Sequence, residues 1–397
     1  MDNSKDRTWA EIRLDNIEHN YRAIRSRLPS GCRFLGTVKA NAYGHGAVTM
    51  AGLLSELGAE YLAVACIDEA VVIRKAGIGL PILVFGYTAP ARIDELLEYD
   101  LTQTIYSRDL AEAYSAAAHG KKLKCHLKLD SGMGRLGIDC SNAGVQEATS
   151  VLRLTGLYFE GVFTHFAVAD MGGDSYTGVQ FDKFIKTVGE LELCKGSGFE
   201  IIHCANSGAV VNYPQMYLDM VRPGIALYGG YREHGGAKVC AKSSSGILAY
   251  AGEGESSPEL KKFNFRPGME LKTRVVQIKE VPQGASISYG RTYVADGIRK
   301  IAVLPVGYAD GLHRSLSNNM EVLLHGRRIK QVGRICMDMC MVDITNTNFA
   351  EVGDEVTIFG KNGEECISVS EHAEKLGTIS YELLCSVSAR VPRVYIR

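Results

Sequence analysis

The stretch Val38-Lys39-Ala40-Asn41-Ala42-Tyr43-Gly44-His45-Gly46 decides how the rest of the chain is interpreted. An apolar run at 34–38 leads into it and predicts a buried strand, and small apolar residues at 47–57 follow it and predict a helix. Lys39 therefore lies where a strand passes into a turn, and the two glycines of the stretch allow a sharp bend. Partial desolvation lowers the pKa of such a lysine, which makes its amine a nucleophile and a base. A lysine paired with a carboxylate at a strand end is the alternative interpretation.

Apolar strand-like runs recur along the first part of the chain, and helix-like segments lie between most of them. Eight such runs, with roughly 20 to 40 residues per unit, match the size of barrel repeats and predict a (β/α)8 TIM barrel. A doubly wound open sheet is the competing interpretation, although no GxGxxG motif follows a first strand. The predicted strands are 33–39, 60–66, 81–86, 101–106, 123–130, 156–164, 200–205 and 218–228.

The character of the chain changes near residue 263. Short β-like runs between glycine-containing turns predict a C-terminal mainly-β domain at 263–397, after a barrel domain at 13–262. The sequence does not decide whether the N-terminal strand within 1–12 joins the sheet of this second domain. The segment 231–262 is rich in Gly, Ser, Lys and Glu and predicts a long surface loop or a linker. The β-like runs lie at 271–281, 301–306, 321–324, 332–344 and 355–359, and short helices are predicted at 369–376 and 381–388.

Composition narrows the possible partners and compartments. A formal net charge of −1 gives no reason to expect nucleic acid or an acidic membrane surface as a partner. No stretch approaches the roughly 18 apolar residues of a membrane-spanning helix. The polar start of the chain lacks the apolar core of a signal peptide, so we expect a cytoplasmic protein. No CxxC pair or His/Cys cluster suggests zinc, so we expect no metal.

The carboxyl ends of the strands form the active face of such a barrel. Phosphate groups are commonly held by the loops after the seventh and eighth strands. Here Asn206-Ser207-Gly208 offers N–H groups and a hydroxyl, and Gly224 permits close backbone approach. An ordinary helix cap and an ordinary glycine turn are the alternative. The candidate residues at successive predicted strand ends are Lys39, Tyr43, Arg135, His165, Asn206, Ser207, Arg222, Gly224 and Ile225.

The stretch 38–46 resembles the pyridoxal-phosphate signature of bacterial alanine racemases. The resemblance extends from Trp9 to Tyr395 through several ordered motifs. It implies an enzyme that interconverts L-alanine and D-alanine with pyridoxal 5'-phosphate as cofactor and supplies D-alanine for cell-wall peptidoglycan. The matching segments are Asp130-Ser131-Gly132-Met133-Gly134-Arg135, Phe163-Thr164-His165-Phe166, Asn206-Ser207, Val221-Arg222-Pro223-Gly224-Ile225, Ser286-Ile287-Ser288-Tyr289-Gly290, Val332-Gly333-Arg334-Ile335-Cys336-Met337-Asp338 and Thr378-Ile379-Ser380-Tyr381-Glu382.

The resemblance also implies residue roles. Lys39 would hold the cofactor covalently and act as the base for D-alanine, and Tyr289 would act as the base for L-alanine. The family is a head-to-tail homodimer, so Tyr289 would reach the cofactor of the other subunit. Arg222 would face the pyridine nitrogen and keep it unprotonated, because a guanidinium does not give up its proton. The implied cofactor-binding residues are Lys39, Tyr43, His165, Asn206, Ser207, Arg222, Gly224, Ile225 and Tyr381.

On the substrate side, the resemblance implies that Arg135 holds a carboxylate, a task that suits the guanidinium fork. Met337 and Asp338 would line the same composite site. Some family members carry a carbamylated lysine at the position of Lys128, and we hypothesise the same modification here. Pairing of Lys128 with Asp130 or with solvent is the alternative.

Two features depart from the family pattern. Met339 stands where the family usually carries glutamine, and the segment 231–262 is longer than usual. Tyr381 favours alanine as substrate, because serine racemases of the vancomycin-resistance type look similar but tend to carry a smaller polar residue there. A serine racemase or a broad-specificity amino-acid racemase is the alternative enzyme. A non-enzymatic pyridoxal-phosphate carrier is the alternative of another class, and the large β domain with Tyr289 argues against it.

Overall fold

The computed structural model describes residues 5–171, 174–231, 240–242, 248–250, 263–347 and 350–397. Its N-terminal part is a nearly closed barrel of eight parallel strands, in the order eighth, first, second and onward to seventh. The predicted barrel is confirmed, and each predicted run contains one strand. The barrel strands are Arg33–Thr37, Tyr61–Val64, Ile82–Val84, Leu101–Ile105, Leu123–Asp130, Leu157–Phe163, Ile201–His203 and Met220–Val221.

Backbone hydrogen bonds draw the seventh and eighth strands together and exclude the open doubly wound sheet. The N–H of Asp219 donates to the carbonyl oxygen of Ile202 at 3.1 Å, and the N–H of Arg222 donates to that of Ala205 at 2.9 Å. The eighth strand then pairs in parallel with the first. Side chains from all strands consequently converge inside one barrel.

The period of two along the strands separates the barrel interior from the helix-facing surface. On the second strand, Tyr61 and Ala63 belong to a small interior cluster, whereas Leu62 and Val64 belong to the large core shared with the helices. The same alternation on the fifth strand places His126 and Lys128 on the interior side, opposite Cys125 and Leu127. The interior is therefore apolar in one part and polar in another.

Helices connect the barrel strands and cover the outside of the barrel, as the alternating pattern predicts. A further helix, Leu14–Arg25, precedes the first barrel strand. The helices after the barrel strands are Ala47–Glu56, Ile67–Lys75, Ile93–Glu98, Arg108–Ala117, Asn142–Leu152, Tyr176–Lys195 and Ser207–Asn212.

The N-terminal strand Thr8–Arg13 belongs to the C-terminal sheet, which settles a point that the sequence left open. It pairs antiparallel with Met269–Arg274 and parallel with Arg393–Ile396. The helices Val369–Leu376 and Ser380–Ser386 pack on this part of the molecule. The remaining strands after residue 263 are Gln277–Val281, Ser286–Ile287, Tyr293–Val294, Arg299–Leu304, Glu321–Leu324, Arg327–Lys330, Cys340–Asp343, Glu355–Asn362 and Glu365–Ile367.

Two predicted segments differ from the structure. The β-like run at 332–344 contains a strand only at Cys340–Asp343, because Gly333, with a φ of 74°, leaves the extended conformation. Most of the predicted loop 231–262 lies outside the described residues. The backbone strands Cys240–Lys242 and Leu248–Tyr250 within it form an antiparallel pair.

Gly44 and Gly58 provide a matched test of how tightly the turn at 38–46 is packed. Both residues have a left-handed φ, of 85° and 86°, but a Cβ on Gly44 would overlap the carbonyl oxygen of Leu384, whereas the space around Gly58 is open. We expect Gly58→Ala to cost about 1–2 kcal/mol of unfolding free energy through its conformation alone. Gly44→Ala should cost more, as measured by chemical denaturation. Equal losses would contradict the packing at Leu384.

Candidate active site

A left-handed turn follows the first barrel strand and presents Lys39. The strand ends at Thr37, two residues before the predicted end. The four residues 40–43 have φ values of 52°, 53°, 55° and 52° although none of them is glycine. A left-handed conformation costs an L-residue roughly 1–2 kcal/mol. Backbone strain of this kind is maintained only where the surroundings hold it, and it is concentrated at functional sites.

Polar side chains hold the left-handed turn, two of them from distant parts of the chain and one from its own end. The Glu69 carboxylate accepts a hydrogen bond from the backbone N–H of Ala40 at 2.6 Å. The Nδ1 atom of His45 lies 3.0 Å from the carbonyl oxygens of two turn residues. Arg393 donates from Nε to the carbonyl oxygen of Gly44 at 2.9 Å. Glu69 and Arg393 could not be identified from the sequence, because no local motif marks a residue that supports a turn elsewhere in the chain.

Five basic side chains converge at the carboxyl end of the barrel. Burial and the charge of Arg135 lower the pKa of Lys39. Burial and the charge of Arg222 lower the pKa of Lys128 to about 7 and hold the pKa of His165 well below its usual value. These mutual effects place all five predicted residues within electrostatic reach of one another. The positive charges that act on His165 in this way favour an anionic ligand at the same place.

The Asp130 carboxylate, on the same strand as Lys128, is engaged elsewhere. Its two oxygens accept hydrogen bonds from the backbone N–H groups of residues 132–135 at 2.8–3.2 Å. These bonds keep the pKa of Asp130 below its usual value. The Nζ of Lys128 donates instead to the carbonyl oxygen of Leu129 at 2.9 Å. The pairing of Lys128 with Asp130 that the sequence left open is therefore not the contact that forms.

Ser207 joins the loops after the seventh and eighth strands. Its hydroxyl oxygen accepts hydrogen bonds from the N–H groups of Gly224 at 2.9 Å and Ala226 at 3.3 Å. A serine oxygen has two acceptor positions and one proton, so the hydroxyl proton remains for a further acceptor. Asn206 caps the helix that follows, with its side-chain oxygen 3.0 Å from the N–H of Ala209. The helix that begins after Asn206 and the glycine turn at Gly224 are thus joined to each other through the Ser207 hydroxyl.

We call the arrangement of Asn206, Ser207, Gly224 and Ile225 the cradle. Two tyrosine rings lie next to it. A Cβ on Gly224 would overlap the Tyr43 hydroxyl, so only glycine permits the contact. The Tyr43 ring lies 6.1 Å from that of Tyr381, and the adjacent Ile225 is fully buried. The cradle and the cationic cluster share the same end of the barrel. The cradle and the cluster together suit a ligand that carries a phosphate group on an aromatic ring, as pyridoxal phosphate does.

Arg222 is buried in this site and is held by neutral acceptors. Its Nη2 donates to the carbonyl oxygens of Thr164 at 2.8 Å and Cys204 at 3.1 Å, and lies 3.4 Å from Nδ1 of His165. Its Nη1 lies 2.9 Å from Nδ1 of His203. Within the described residues, no hydrogen bond uses Nε, which leaves this donor for a ligand.

Tyr289, Met337 and Asp338 form a second group, in the C-terminal part. The Tyr289 side chain is 70% exposed and follows Ser288, whose φ is 66°. The Ser288 hydroxyl donates to the carbonyl oxygen of Arg334 at 2.7 Å, which ties the Tyr289 loop to the segment with Met337. In the described part of the chain, no hydrogen bond, ion pair or ring contact joins this group to Lys39. One chain by itself does not bring the two predicted bases together.

The described residues contain neither a candidate metal cluster nor a candidate membrane-spanning helix. No group of three or more His, Cys, Asp or Glu side chains there is arranged to hold a metal ion. No helix in that part of the chain has the length and apolar character to cross a membrane.

Comparison with known proteins identifies two matching family models. Residues 12–232 match the model of the alanine racemase N-terminal domain, and residues 268–395 match that of the alanine racemase C-terminal domain. Alanine racemase 2 of Caldanaerobacter subterraneus subsp. tengcongensis is 43% identical, covering 98% of this chain and 95% of that protein. The alanine racemase of Desulforamulus reducens is 44% identical, covering 99% of this chain and 100% of that protein.

Solved structures agree with the sequence comparison. The alanine racemase of Clostridium difficile 630 superposes with a TM-score of 0.87 at 38% identity, covering 98% of this chain and 96% of that one. The alanine racemase of Bacillus anthracis with bound L-Ala-P superposes with a TM-score of 0.87 at 36% identity, covering 98% of this chain and 95% of that one.

Proposed function

This chain belongs to the alanine racemase family, and from that premise we propose that it interconverts L-alanine and D-alanine with pyridoxal 5'-phosphate as cofactor. The observation that carries the proposal is the half-buried Lys39 amine, of lowered pKa, among four further basic residues beside the cradle of Ser207 and Gly224. We further propose that the D-alanine produced supplies cell-wall peptidoglycan. For the domain boundary we retain 262/263, between the barrel and the C-terminal domain.

Residues at the barrel mouth would hold the cofactor. Lys39 would bind it covalently through Nζ, and Arg222 would donate to its ring nitrogen, with His165 beside the ring. Burial lowers the pKa of Arg222 to about 10, so the guanidinium is still charged at neutral pH and does not release its proton. When bound, pyridoxal phosphate supplies an electron-withdrawing ring that acidifies the α-proton of the attached alanine. The phosphate would be held by Asn206, Ser207, Gly224 and Ile225, and the paired rings of Tyr43 and Tyr381 would contact the cofactor between its phosphate and the substrate.

Racemisation needs two groups that transfer protons on opposite faces of the substrate α-carbon. The Lys39 amine would take or return the proton of D-alanine, because burial favours its neutral form. The Tyr289 hydroxyl of a second subunit would do the same for L-alanine. Each such contribution is worth roughly a hundred- to ten-thousand-fold in rate. The exposure of Tyr289 in the single chain supports its position at a subunit boundary in a homodimer.

Three further residues would bind the substrate. Arg135 would hold the alanine carboxylate through its guanidinium fork, which suits a planar anion. Met337 and Asp338, near Tyr289, would line the side contributed by the second subunit. The Asp338 carboxylate is oriented by Arg390, whose Nη2 lies 2.7 Å from it.

Isotope exchange separates the two proposed bases. In deuterated water, Tyr289→Phe should lower α-proton exchange of L-alanine by roughly a hundred- to ten-thousand-fold while exchange of D-alanine persists. Lys39→Ala should abolish both, because the cofactor is no longer held covalently. Tyr293→Phe is the matched control, since Tyr293 lies on the same segment and donates to Asp343 at 3.2 Å. Proton-detected NMR of both enantiomers measures the exchange.

Hybrid dimers test whether the site is shared between subunits. Mixing Lys39→Ala subunits with Tyr289→Phe subunits creates one site with both groups intact if Tyr289 acts on the other subunit's cofactor. Racemisation should then reappear on mixing two inactive preparations. Activity that fails to return, while hybrids form, would contradict a composite site.

Tyr381 offers a test of substrate size. Its ring packs edge-on against Tyr43, which narrows the space beside the predicted substrate methyl group. Tyr381→Asn should raise kcat/KM for serine relative to alanine, by up to about a hundredfold, because a tight apolar pocket discriminates an added hydroxyl only weakly. Tyr381→Phe keeps the ring and should leave the ratio unchanged. If kcat/KM for serine relative to alanine is unchanged in both variants, Tyr381 does not line the substrate pocket.

The lowered pKa of Lys128 makes its carbamylation testable. With a pKa of about 7, the amine is largely neutral above that pH and can react with CO2, and the reaction should fade as the pH falls through 7. A carbamate carbon signal should appear in NMR with labelled bicarbonate. Lys124→Met, on the same strand, should retain the signal, and Lys128→Met should lose it. A bare amine at Lys128 under saturating bicarbonate would end the hypothesis.

A further inference from the structure

A buried chain of hydrogen bonds runs through the barrel interior, away from Arg222. Nδ1 of His203 lies 2.9 Å from Nη1 of Arg222, and Nε2 of His203 lies 2.8 Å from Nδ1 of His126. Nε2 of His126 then lies 3.1 Å from Oε2 of Glu160. Both imidazole rings are fully buried. The chain connects a strand-end guanidinium to a carboxylate on the sixth barrel strand.

The chemistry of the two ends fixes the position of each proton in this chain. An ionised carboxylate only accepts and a guanidinium only donates. His126 must therefore donate from Nε2 to Glu160 and accept at Nδ1, which makes His203 the donor from its own Nε2. His203 then accepts at Nδ1 from Arg222. Only neutral imidazoles satisfy this order, and burial does lower the pKa of both rings.

Neighbouring groups hold the chain in place. The His203 ring stacks on Phe163 at a centroid distance of 4.7 Å and an interplanar angle of 11°, so it has a fixed orientation. The Tyr61 hydroxyl also donates to Oε2 of Glu160, at 2.7 Å. Glu160 is thus bound by two donors, and hydrogen bonding to His126 and Tyr61 keeps the pKa of its carboxyl below the usual value.

Arg222 otherwise lacks a negative partner. Its other acceptors are neutral, and no ion pair involves it in the described residues. A buried guanidinium without a compensating charge is costly. We propose that Glu160 is a positioning residue for Arg222, and that its charge acts through His126 and His203 to fix the guanidinium and set the strength of the hydrogen bond it offers to the cofactor ring.

The mechanism of this effect is polarisation along the chain. A carboxylate at one end makes His126, and then His203, a stronger acceptor, because hydrogen bonds in series strengthen one another in a low-dielectric interior. His203 then draws more strongly on the Nη1 proton of Arg222. As a result, the N–H at Nε of Arg222 is held in one orientation and becomes a weaker hydrogen-bond donor. The effect on the cofactor rests on the proposed function, whereas the state of the two imidazoles does not.

Nitrogen NMR of the cofactor-free protein tests the chain directly. With labelled histidine, both rings should be neutral and carry their proton on Nε2, with slowly exchanging N–H signals. Glu160→Gln keeps the shape and an acceptor oxygen but removes the charge. It should shift the resonances of His203, which does not touch Glu160, as well as those of His126. A charged ring, a proton on Nδ1 of His203, or an unmoved His203 signal would overturn the proposal.

The bound cofactor provides the second readout. Glu160→Gln should shift the absorption band of bound pyridoxal phosphate and change its dissociation constant by about tenfold, the size expected when a charge-assisted hydrogen bond weakens. His126→Asn interrupts the chain and should have the same effect, and the double variant should have no larger one. If the effects of the two single variants add in the double variant, or if neither variant has an effect, the proposed role of Glu160 is wrong. Glu200→Gln is the control, because within the described residues the Glu200 carboxylate accepts a hydrogen bond only from the exposed Tyr158.

The two experiments separate this proposal from the function on which it builds. If the protein neither binds pyridoxal phosphate nor racemises alanine, the proposed function fails while the NMR of the cofactor-free protein still decides the chain. If His126→Asn does not fold, Glu160→Gln alone gives the decisive His203 shift. If the protein racemises alanine but the His203 resonances do not shift in Glu160→Gln, the proposed role of Glu160 is wrong and the proposed function stands.

Discussion

The left-handed turn at 40–43 is the constraint on which the rest of the site depends. Four L-residues in succession do not hold this conformation unaided, because each carries a steric penalty. Groups from both halves of the chain hold the turn, with Glu69 in the barrel and Arg393 in the C-terminal strand. The turn places Lys39 at the barrel mouth and lays Tyr43 against Gly224. The geometry of the proposed cofactor site therefore depends on the association of the two domains.

The basic residues at the carboxyl end of the barrel affect one another electrostatically. Burial is the largest cause of the lowered pKa of Lys39, Lys128, His165 and Arg222, and in each case the charge of a neighbouring basic residue also lowers it. Such an arrangement is unfavourable in isolation, and an anionic ligand would relieve it. Strain in the backbone and repulsion among side chains thus converge at one end of the barrel. Both are typical of a preorganised site whose stability is supplied by the remaining structure.

Much of the fold could be predicted because apolar periodicity is a local signal. All eight barrel strands lie within the predicted runs, and the strand ends gave most of the cradle residues. The left-handed conformation at 40–43 could not be predicted, since none of its residues is glycine. Glu160, His126 and His203 were also missed, because the barrel brings together positions that are distant in sequence. The pairing of Lys39 with Tyr289 was proposed from family resemblance, since one chain does not contain it.

The edge-to-edge placement of the N-terminal strand also bears on how the chain acquires its shape during synthesis. Ala10 lies between Leu271 and Arg393, so this strand has no final partner on one side until residues 393–396 have left the ribosome. The barrel strands follow one another in sequence and pair largely with the next one made. The order of synthesis therefore makes every barrel strand before the strand at Thr8–Arg13 has both of its partners. An open strand edge offers unpaired N–H and C=O groups to other chains, so the late partner at 393–396 closes a site for association between chains.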